Sequence, residues 1–393
     1  MTGPQGHAVA SASGAPAWTL CPGKLRMEEG LPDTAGDAAK EGTCAHALAE
    51  LTLKAETGRM TKEEYGAAFK DFTENSDYFS EEMVYHIDGF VDRTLEAYSE
   101  AKAVCPDAEL YSELQVDFSS IVPEGWGTTD VAIIGDKYLA IRDLKFGHNK
   151  VFALREDGSV SEQLALYAIG CINEFEDLYD LPGETVVYMT IDQPRLGWVQ
   201  TAAMTVDELR KWGEEYIKPL AEEALSDHGR IIPGEVQCKY CRAAATCRAH
   251  KEWCNAVMKS DYDDPETLTE AEIADILSRT DAIKSWLQSV QDFATEMVSK
   301  RKAKYPGWKL VRAVTKRKIA DEDSAAEALK KAGYKPDDYY TQKLKGITEL
   351  TKLCGKQNFE QILKGIVIKP EGKLTLAPVD DSREEVGGAG DYE

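Results

Sequence analysis

The chain has 393 residues, of which 43% are hydrophobic; that is ample apolar mass for a packed core in two or three domains and excludes a wholly disordered protein. No run of about 18 apolar residues is available to span a bilayer, and the first residues, MTGPQGHAVASASGAPAW, lack the basic and apolar segments of a secretory leader, so a cytoplasmic protein with no membrane partner is expected. The formal net charge of −23 argues at first sight against a polyanionic partner, but residues 300 to 369 hold 15 Lys and 3 Arg against 8 Asp and Glu, a local +10 that leaves −33 for the rest. Such asymmetry points to polyanion contact by one part of the chain, with a solvated basic face as the other reading.

In chain order, residues 1–17 are rich in Gly, Ala, Ser and Pro and read as a disordered end. From about Lys40 to Ser99 the periodicity is helical, with Ala45, Leu48, Ala49 and Leu53 on one stripe of the first helix. Short β-rich runs follow at 111–118, 130–135 and 137–145, separated by PEGWG and a Gly-Asp turn, and read as a meander. A helix is expected over 159–175, with Ser159 or Ser161 as its cap, then strands at TVVYMTI and GWVQTAAM and a helix from about Thr205 towards Gly229. This order predicts an α/β sheet flanked by helices. After Cys254, Asp264 or Thr267 can cap a long amphipathic helix in which Ile273, Leu277, Ile283, Leu287, Val290 and Met297 recur at helical spacing. A basic run follows, and residues 375–393 read as a disordered acidic tail. The expected organisation is 1–17 disordered, 18–255 a first domain carrying a cysteine cluster, 256–374 the long helix plus a basic accessory region, and 375–393 the tail.

The residues that bear chemistry are Gly127-Thr128-Thr129-Asp130, opening one strand, and Asp143-Leu144-Lys145, closing the next. On adjacent antiparallel strands these converge at one edge of the sheet. Two carboxylates with the Leu144 carbonyl suit a hard cation such as Mg²⁺ or Mn²⁺, which takes oxygen ligands. Such an ion would neutralise charge on a phosphodiester and acidify a water, while Lys145 could orient that water. Alone, an Asp-x-Lys on a strand is more often an ion pair at the strand end. Around it, His46 in Gly42-Thr43-Cys44-Ala45-His46 shares a helix face with Glu50, and Gln163 and Tyr167 stand in the same relation on the later helix. Glu113 on the preceding strand reads either as an extra ligand or as a surface or structural residue. Glu50 reads as a support for His46 or a helix contact.

These four motifs, in this order, resemble the RecB/AddB-like branch of the PD-(D/E)XK nucleases, which includes the CRISPR-associated iron–sulfur exonucleases; the resemblance covers about residues 18 to 250. It implies a restriction-endonuclease-like core, a central mixed sheet flanked by helices, with a C-terminal helical and basic extension. It further implies His46, Asp130 and Asp143 as metal ligands, Lys145 as the catalytic lysine with Asp130 and Asp143, and Gln163 and Tyr167 as a helix pair near the DNA backbone. Trp18 to Cys21, Gln193-Pro194-Arg195 and the KPEGKLTL segment resemble a group encoded in phages and prophages. The expected function is a divalent-metal-dependent DNA exonuclease for phage recombination or end resection, in a bacterial cytoplasm, with a single-strand annealing or single-strand-binding protein as a possible partner. Arg195 and Lys316, Arg317 and Lys318 are expected on the DNA. The competing reading is a nuclease-dead or regulatory nucleic-acid-binding protein of the same fold. No G-x-x-x-x-G-K-[ST] is present, so ATP-driven unwinding is not expected.

Nine cysteines, three of them between Cys238 and Cys247, read as metal thiolates more than as a disulfide framework. Cys238-x₂-Cys241-x₅-Cys247 with Cys254 can form a closed Cys₄ zinc site. The resemblance implies instead that Cys21, far upstream, joins Cys238, Cys241 and Cys247 on a [4Fe–4S] cluster, which serves as a staple between the ends of the domain. Both readings stand. Cys44, Cys105, Cys171 and Cys354 read as small buried hydrophobes.

Overall fold

In the computed structural model, which describes residues 8–32, 36–258, 268–300 and 302–309, the expected strands form one mixed sheet of five, in the order β1-β2-β3-β4-β5. They are β1 (Glu109–Asp117), β2 (Trp126–Gly135), β3 (Tyr138–Leu144), β4 (Val186–Gln193) and β5 (Trp198–Thr205). Neighbours are antiparallel except β3 and β4, which run parallel. A parallel pair needs a crossover, and the helix between these two strands supplies it.

Ahead of the sheet lie α1 (Ala15–Trp18), α2 (Lys24–Glu28), α3 (Asp37–Glu56), α4 (Lys62–Asn75) and α5 (Glu81–Val104); α6 (Glu162–Phe175) is the crossover. Of the two candidate caps for α6 it is Ser161 that caps, its hydroxyl accepting from Leu164 N–H at 3.5 Å. One face of the sheet is covered by α6 and α1, burying Ala132, Ile134, Ile141, Leu166 and Met189 with Trp18. The other face is covered by α3 and α5, through Leu48, Leu53, Ile87 and Phe90 against Val131, Ile133 and Leu144. The result is an α/β/α arrangement.

Beyond β5 the chain continues as α7 (Val206–Trp212), a π turn over 213–217, and α8 (Lys218–Ala224), in place of the one continuous helix expected. Pro219 has no N–H to give the carbonyl four residues back, and the π turn lies just before it. Then come α9 (Glu235–Lys239), α10 (Arg248–Met258) and α11 (Glu270–Ser299).

Two expected boundaries move. Residues 8–17, read as disordered, are packed from Ala10 onward: Ala10, Ala12 and Ala15 are buried beside Trp18, whose indole N–H donates to the Ser11 carbonyl at 2.9 Å. Small residues are what close packing against a large indole requires, so their composition misleads. The chain divides into compact units Met1–Met297 and Val298–Glu393, so α11 groups with the sheet and the boundary near 255 is not observed. In the second unit the described residues form a turn in which Trp308 N–H donates to the Tyr305 carbonyl at 3.1 Å. Lys316, Arg317 and Lys318 lie outside the described residues, as do Cys354 and the tail. No described helix is long and apolar enough to cross a membrane.

Candidate metal centre and its surroundings

The β2–β3 ladder ends with Val131 opposite Arg142, which leaves Asp130 and Asp143 facing one another one step beyond. Across β1, the pairs Ser112–Val131 and Leu114–Thr129 bracket Glu113 opposite Asp130. Three carboxylates therefore stand in a row on three adjacent strands, at the roughly 5 Å spacing of cross-strand neighbours. Glu113 adopts φ +49°, the left-handed region, at a cost of roughly 1–2 kcal/mol for a residue with a Cβ. The alternation of β1 changes phase there: Leu110 packs in the α3/α5 core and Val116 in the α6 core. Such a distortion re-aims one side chain out of the pleat.

His46 reaches the row from α3. Its Nδ1 hydrogen-bonds Asp130 Oδ1 at 3.0 Å, and the second Asp130 oxygen accepts the Leu144 N–H at 2.6 Å. The ligand atoms of His46, Glu113 and Asp130 lie within 4.8 Å of one another. This set differs from the expected one: Glu113 is in it, Asp143 is not, and Leu144 contributes an N–H to Asp130. With Nδ1 on Asp130, Nε2 is the ring nitrogen available to a cation, the arrangement in which a carboxylate orients a metal-binding imidazole. Glu50, one turn on, pairs with Lys54 at 2.5 Å.

On the far side of Asp130, Gln163 of α6 joins Asp143 to Lys145. Its Nε2 donates to Asp143 Oδ1 at 3.0 Å and its Oε1 accepts from Lys145 Nζ at 3.0 Å. Lys145 Nζ is also 2.9 Å from Asp143 Oδ2, though that oxygen accepts no hydrogen bond of good geometry. Tyr167 closes the wall, its hydroxyl 3.4 Å from Gln163 Nε2. The ring needs Gly127 beneath it, since a Cβ there would come within 2.8 Å of the ring edge.

Electrostatics make this one interacting cluster. Burial disfavours charge on His46, but the Asp130 carboxylate outweighs it and holds the imidazole protonated up to about 9. Burial, then repulsion from Asp130, pushes Glu113 up to about 7. Burial also opposes ionisation of Asp130, yet His46 and Lys145 beside it leave its carboxyl below the usual range. Asp143 is shifted up, by burial and by Asp130, against the pull of Lys145. Fully ionised, the three carboxylates would outnumber the two cationic side chains, so a cation would be favoured once it displaces the protons that Glu113 and Asp143 retain.

Sequence reasoning missed what holds Asp143-Leu144-Lys145 in place. Asp192 at the end of β4 is fully buried; it accepts from Arg93 of α5 at 2.9 and 2.7 Å and from Arg142 at 3.1 Å, and its carbonyl takes the Lys145 N–H at 2.9 Å. Gln193 accepts the Val151 N–H at 2.7 Å and donates to the Asn149 carbonyl at 2.9 Å, clamping the loop after Lys145. Arg195, expected on DNA, instead pairs with Glu41 of α3 at 2.6 and 3.1 Å and lies 4.0 Å over the Phe146 ring, donating to its carbonyl at 3.3 Å. The bidentate carboxylate ties this segment to α3. The signal was available: polar side chains at the end of an apolar strand have to be satisfied somewhere.

The cysteines also meet. The Cys21 segment is bound directly to residues 229–232: Gly23 N–H donates to the Arg230 carbonyl at 2.8 Å and Ile232 N–H donates to Cys21 Sγ at 3.3 Å. Gly234 N–H donates to Cys238 Sγ at 3.4 Å. Cys238 is close enough to feel Cys21 and Cys247, and it acts in turn on Cys241 and on buried Cys254. Burial above all raises the thiols of Cys21, Cys238, Cys241 and Cys254, Cys241 to about 11. N–H donors on sulfur are the usual surroundings of metal thiolates. Beside them Lys24 and Glu28 form a buried pair, with Arg242 N–H donating to Glu28 at 2.8 Å.

Residues 7–384 match the model of a family described as Protein of unknown function (DUF2800). The chain belongs to that family. The match takes in the carboxylate row, the clamp of Asp192 and Gln193, and all five cysteines around Cys238.

Proposed function

We propose that this member of the family is a divalent-metal-dependent deoxyribonuclease of the PD-(D/E)XK kind, RecB/AddB-like, acting as an exonuclease in recombination or end resection of phage DNA. The observation that carries this reading is the row of Glu113, Asp130 and Asp143 across three strands, with His46 at one end and Lys145, held by Gln163, at the other. The donor set suits Mg²⁺ or Mn²⁺: two or three carboxylates, one imidazole nitrogen and, once deprotonated, an excess of negative charge. When bound, such an ion supplies Lewis acidity to a phosphoryl oxygen and lowers the pKa of a water.

The chain's own groups do the rest. Asp130 fixes His46 and is itself fixed by the Leu144 N–H. Gln163 and Asp143 keep Lys145 Nζ at the sheet end, where its ammonium can orient an attacking water and stabilise the charge that grows on phosphorus-bound oxygen. Cys21, Cys238, Cys241 and Cys247 would hold a [4Fe–4S] cluster, with Cys254 in place of Cys21 in a zinc site; the direct bonding of the Cys21 segment to residues 230–232 favours the former. The reading includes DNA as partner, with an annealing or single-strand-binding protein downstream.

The test is digestion of end-labelled linear and closed circular DNA, single- and double-stranded, by the full chain with Mg²⁺, Mn²⁺ or chelator. Metal-dependent loss of linear substrate with circles spared is expected. Tight DNA binding with no cleavage under any metal would mean a nucleic-acid-binding protein of the same fold.

A further inference from the structure

The register of the sheet continues the line of the carboxylate row across β4 and β5. Leu144 pairs with Asp192, so Lys145 stands level with Gln193, and Gln193 pairs with Trp198. Ile141, Ile191 and Ala202 are buried on the α6 face, and the two-residue period of a strand puts Lys145, Gln193 and Trp198 on that same face. Trp198 is thus two strand spacings of roughly 4.8 Å, about 10 Å in all, from Lys145 at one end of the sheet. The segment after Lys145 is pinned over this end: besides the Gln193 clamp, the Trp198 indole N–H donates to the Val151 carbonyl at 3.1 Å and Gln200 accepts the Ala153 N–H at 2.9 Å. Its exposed tip, Gly147-His148-Asn149-Lys150, contains no acid. Lys150 Nζ lies 3.6 Å from the centre of the Trp198 ring and 5.6 Å from that of Phe152, and it pairs with no carboxylate among the described residues.

We propose that Lys150, on its shelf of Trp198 and Phe152, binds a backbone phosphate of the DNA strand whose reacting phosphate lies at the carboxylate row. The other cations at this end are matched by acids, Lys145 by Asp143 and Arg195 by Glu41. Lys150 is matched only by rings. The face of an indole attracts an ammonium and so aims it, but weakly at an exposed site and without using up its three N–H donors. An aimed, exposed ammonium with all its donors free suits an anionic oxygen, and phosphate oxygens are acceptors that lysine binds as a point charge. Position selects which anion. The 10 Å from Lys145 is about three steps of a stacked strand at roughly 3.4 Å each, so a strand laid across the sheet end from Asp130 towards β5 brings a second phosphate to Lys150. The inference rests on the nuclease reading for the substrate and adds to it the residue that sets the register of the strand over the row.

The test uses the full chain carrying Asp143→Asn, alone and combined with Lys150→Met or Lys150→Arg. Met keeps an unbranched apolar stem over Trp198, and thermal melts check that each protein folds. Binding of short labelled single strands is measured in chelator by fluorescence anisotropy, with one phosphate at a time replaced by an uncharged methylphosphonate. With Lys150 present, neutralising one particular phosphate should weaken binding about three- to tenfold; in Lys150→Met that position should lose its effect, and Lys150→Arg should restore it. The plot of log affinity against log salt should also flatten by about 0.7 in Lys150→Met, the share of one phosphate on a single strand. Identical scans with and without Lys150 overturn the proposal, and a lower melting temperature with an unchanged scan would mean that Lys150 only packs on the rings. Cleavage of DNA by the wild type with Mg²⁺ or Mn²⁺ is read separately. Cleavage with identical scans leaves the nuclease and removes the Lys150 contact, whereas a Lys150-dependent phosphate without cleavage leaves the contact and removes the nuclease.

Discussion

At the open end of the sheet each reactive side chain is fixed by a protein partner: Asp130 by His46 and the Leu144 N–H, Lys145 by Gln163 and Asp143, and the loop behind them by Gln193. Around Cys238 the fixing groups are two backbone N–H donors and a neighbouring buried ion pair, and nearby the His250 Nδ1 and the Trp286 indole N–H are buried without a partner. The first region is pre-organised by its own side chains; in the proposed reading the second is completed by a metal held on its thiolates. Side-chain changes in the first should therefore cost chemistry with little loss of fold, whereas changes in the second should cost the fold or its ligand.

The hardest test of that contrast is removal of the central acids. Asp130→Asn and Asp143→Asn should each lower cleavage by on the order of 10³-fold or more with unchanged circular dichroism; near-wild-type rates in Asp143→Asn, with contaminating nuclease excluded, would break it. On the other side, anaerobically purified protein should be brown, and Cys21→Ser should lose the colour together with solubility while Cys254→Ser keeps both. A colourless protein with stoichiometric zinc, sensitive to Cys254 but not Cys21, reverses the assignment. Between these extremes lies Gln193→Ala, which touches no substrate: a 10- to 100-fold loss of rate is expected, roughly what removal of an orienting partner costs, with metal affinity and DNA binding retained.

Two smaller effects sharpen the picture of the carboxylate row. A cation must displace protons held by Glu113 up to about 7 and by His46 up to about 9, so Mn²⁺ affinity should rise with pH through that window and binding at pH 7 should release protons; calorimetry in two buffers of different ionisation enthalpy counts them. A flat affinity between pH 6 and 9, in roughly one-unit steps, would detach these residues from the metal. Glu113→Asn, which tolerates the left-handed region better, should stabilise the fold by about 1 kcal/mol at pH 8. Since the folded protein binds the Glu113 proton more tightly than the unfolded chain does, the cost of ionising it is absent below pH 4.5 and complete above about 7. The gain should thus shrink at pH 5, measured by urea unfolding.

The sheet was legible because β-branched runs bounded by Gly and Asp turns leave few alternatives, and the meander of β1, β2 and β3 follows from the Gly135–Asp136 turn. His46, Asp130, Asp143, Lys145, Gln163 and Tyr167 do converge, since each sits at a position fixed by strand register or helix periodicity. Glu113 could only be left open: what brings it into the site is a backbone angle, and a glutamate carries no sign of a left-handed φ. The partner of Arg195 was not legible, because Glu41, which pairs with it, lies 154 residues away in the chain. Residues 8–17 misled through composition, and His250 and Trp286 were silent, as an unsatisfied hydrogen bond is a property of packing alone.

The contact between Cys21 and the Ile232 N–H joins positions 211 residues apart, and this sets a timetable for biosynthesis. A ribosome adding about 5–20 residues per second needs on the order of 10 to 40 s to go from one to the other. Throughout that interval Cys21 lacks the segment that binds it, although Trp18 gains its α6 partners earlier, and the thiols of Cys238, Cys241 and Cys247 do not yet exist. The five cysteines can meet only when the sheet is already made, so the nascent chain passes through a stage in which the carboxylate end is assembled and the cysteine end is open. That stage is when the chain is most exposed to proteases and to oxidation of Cys21.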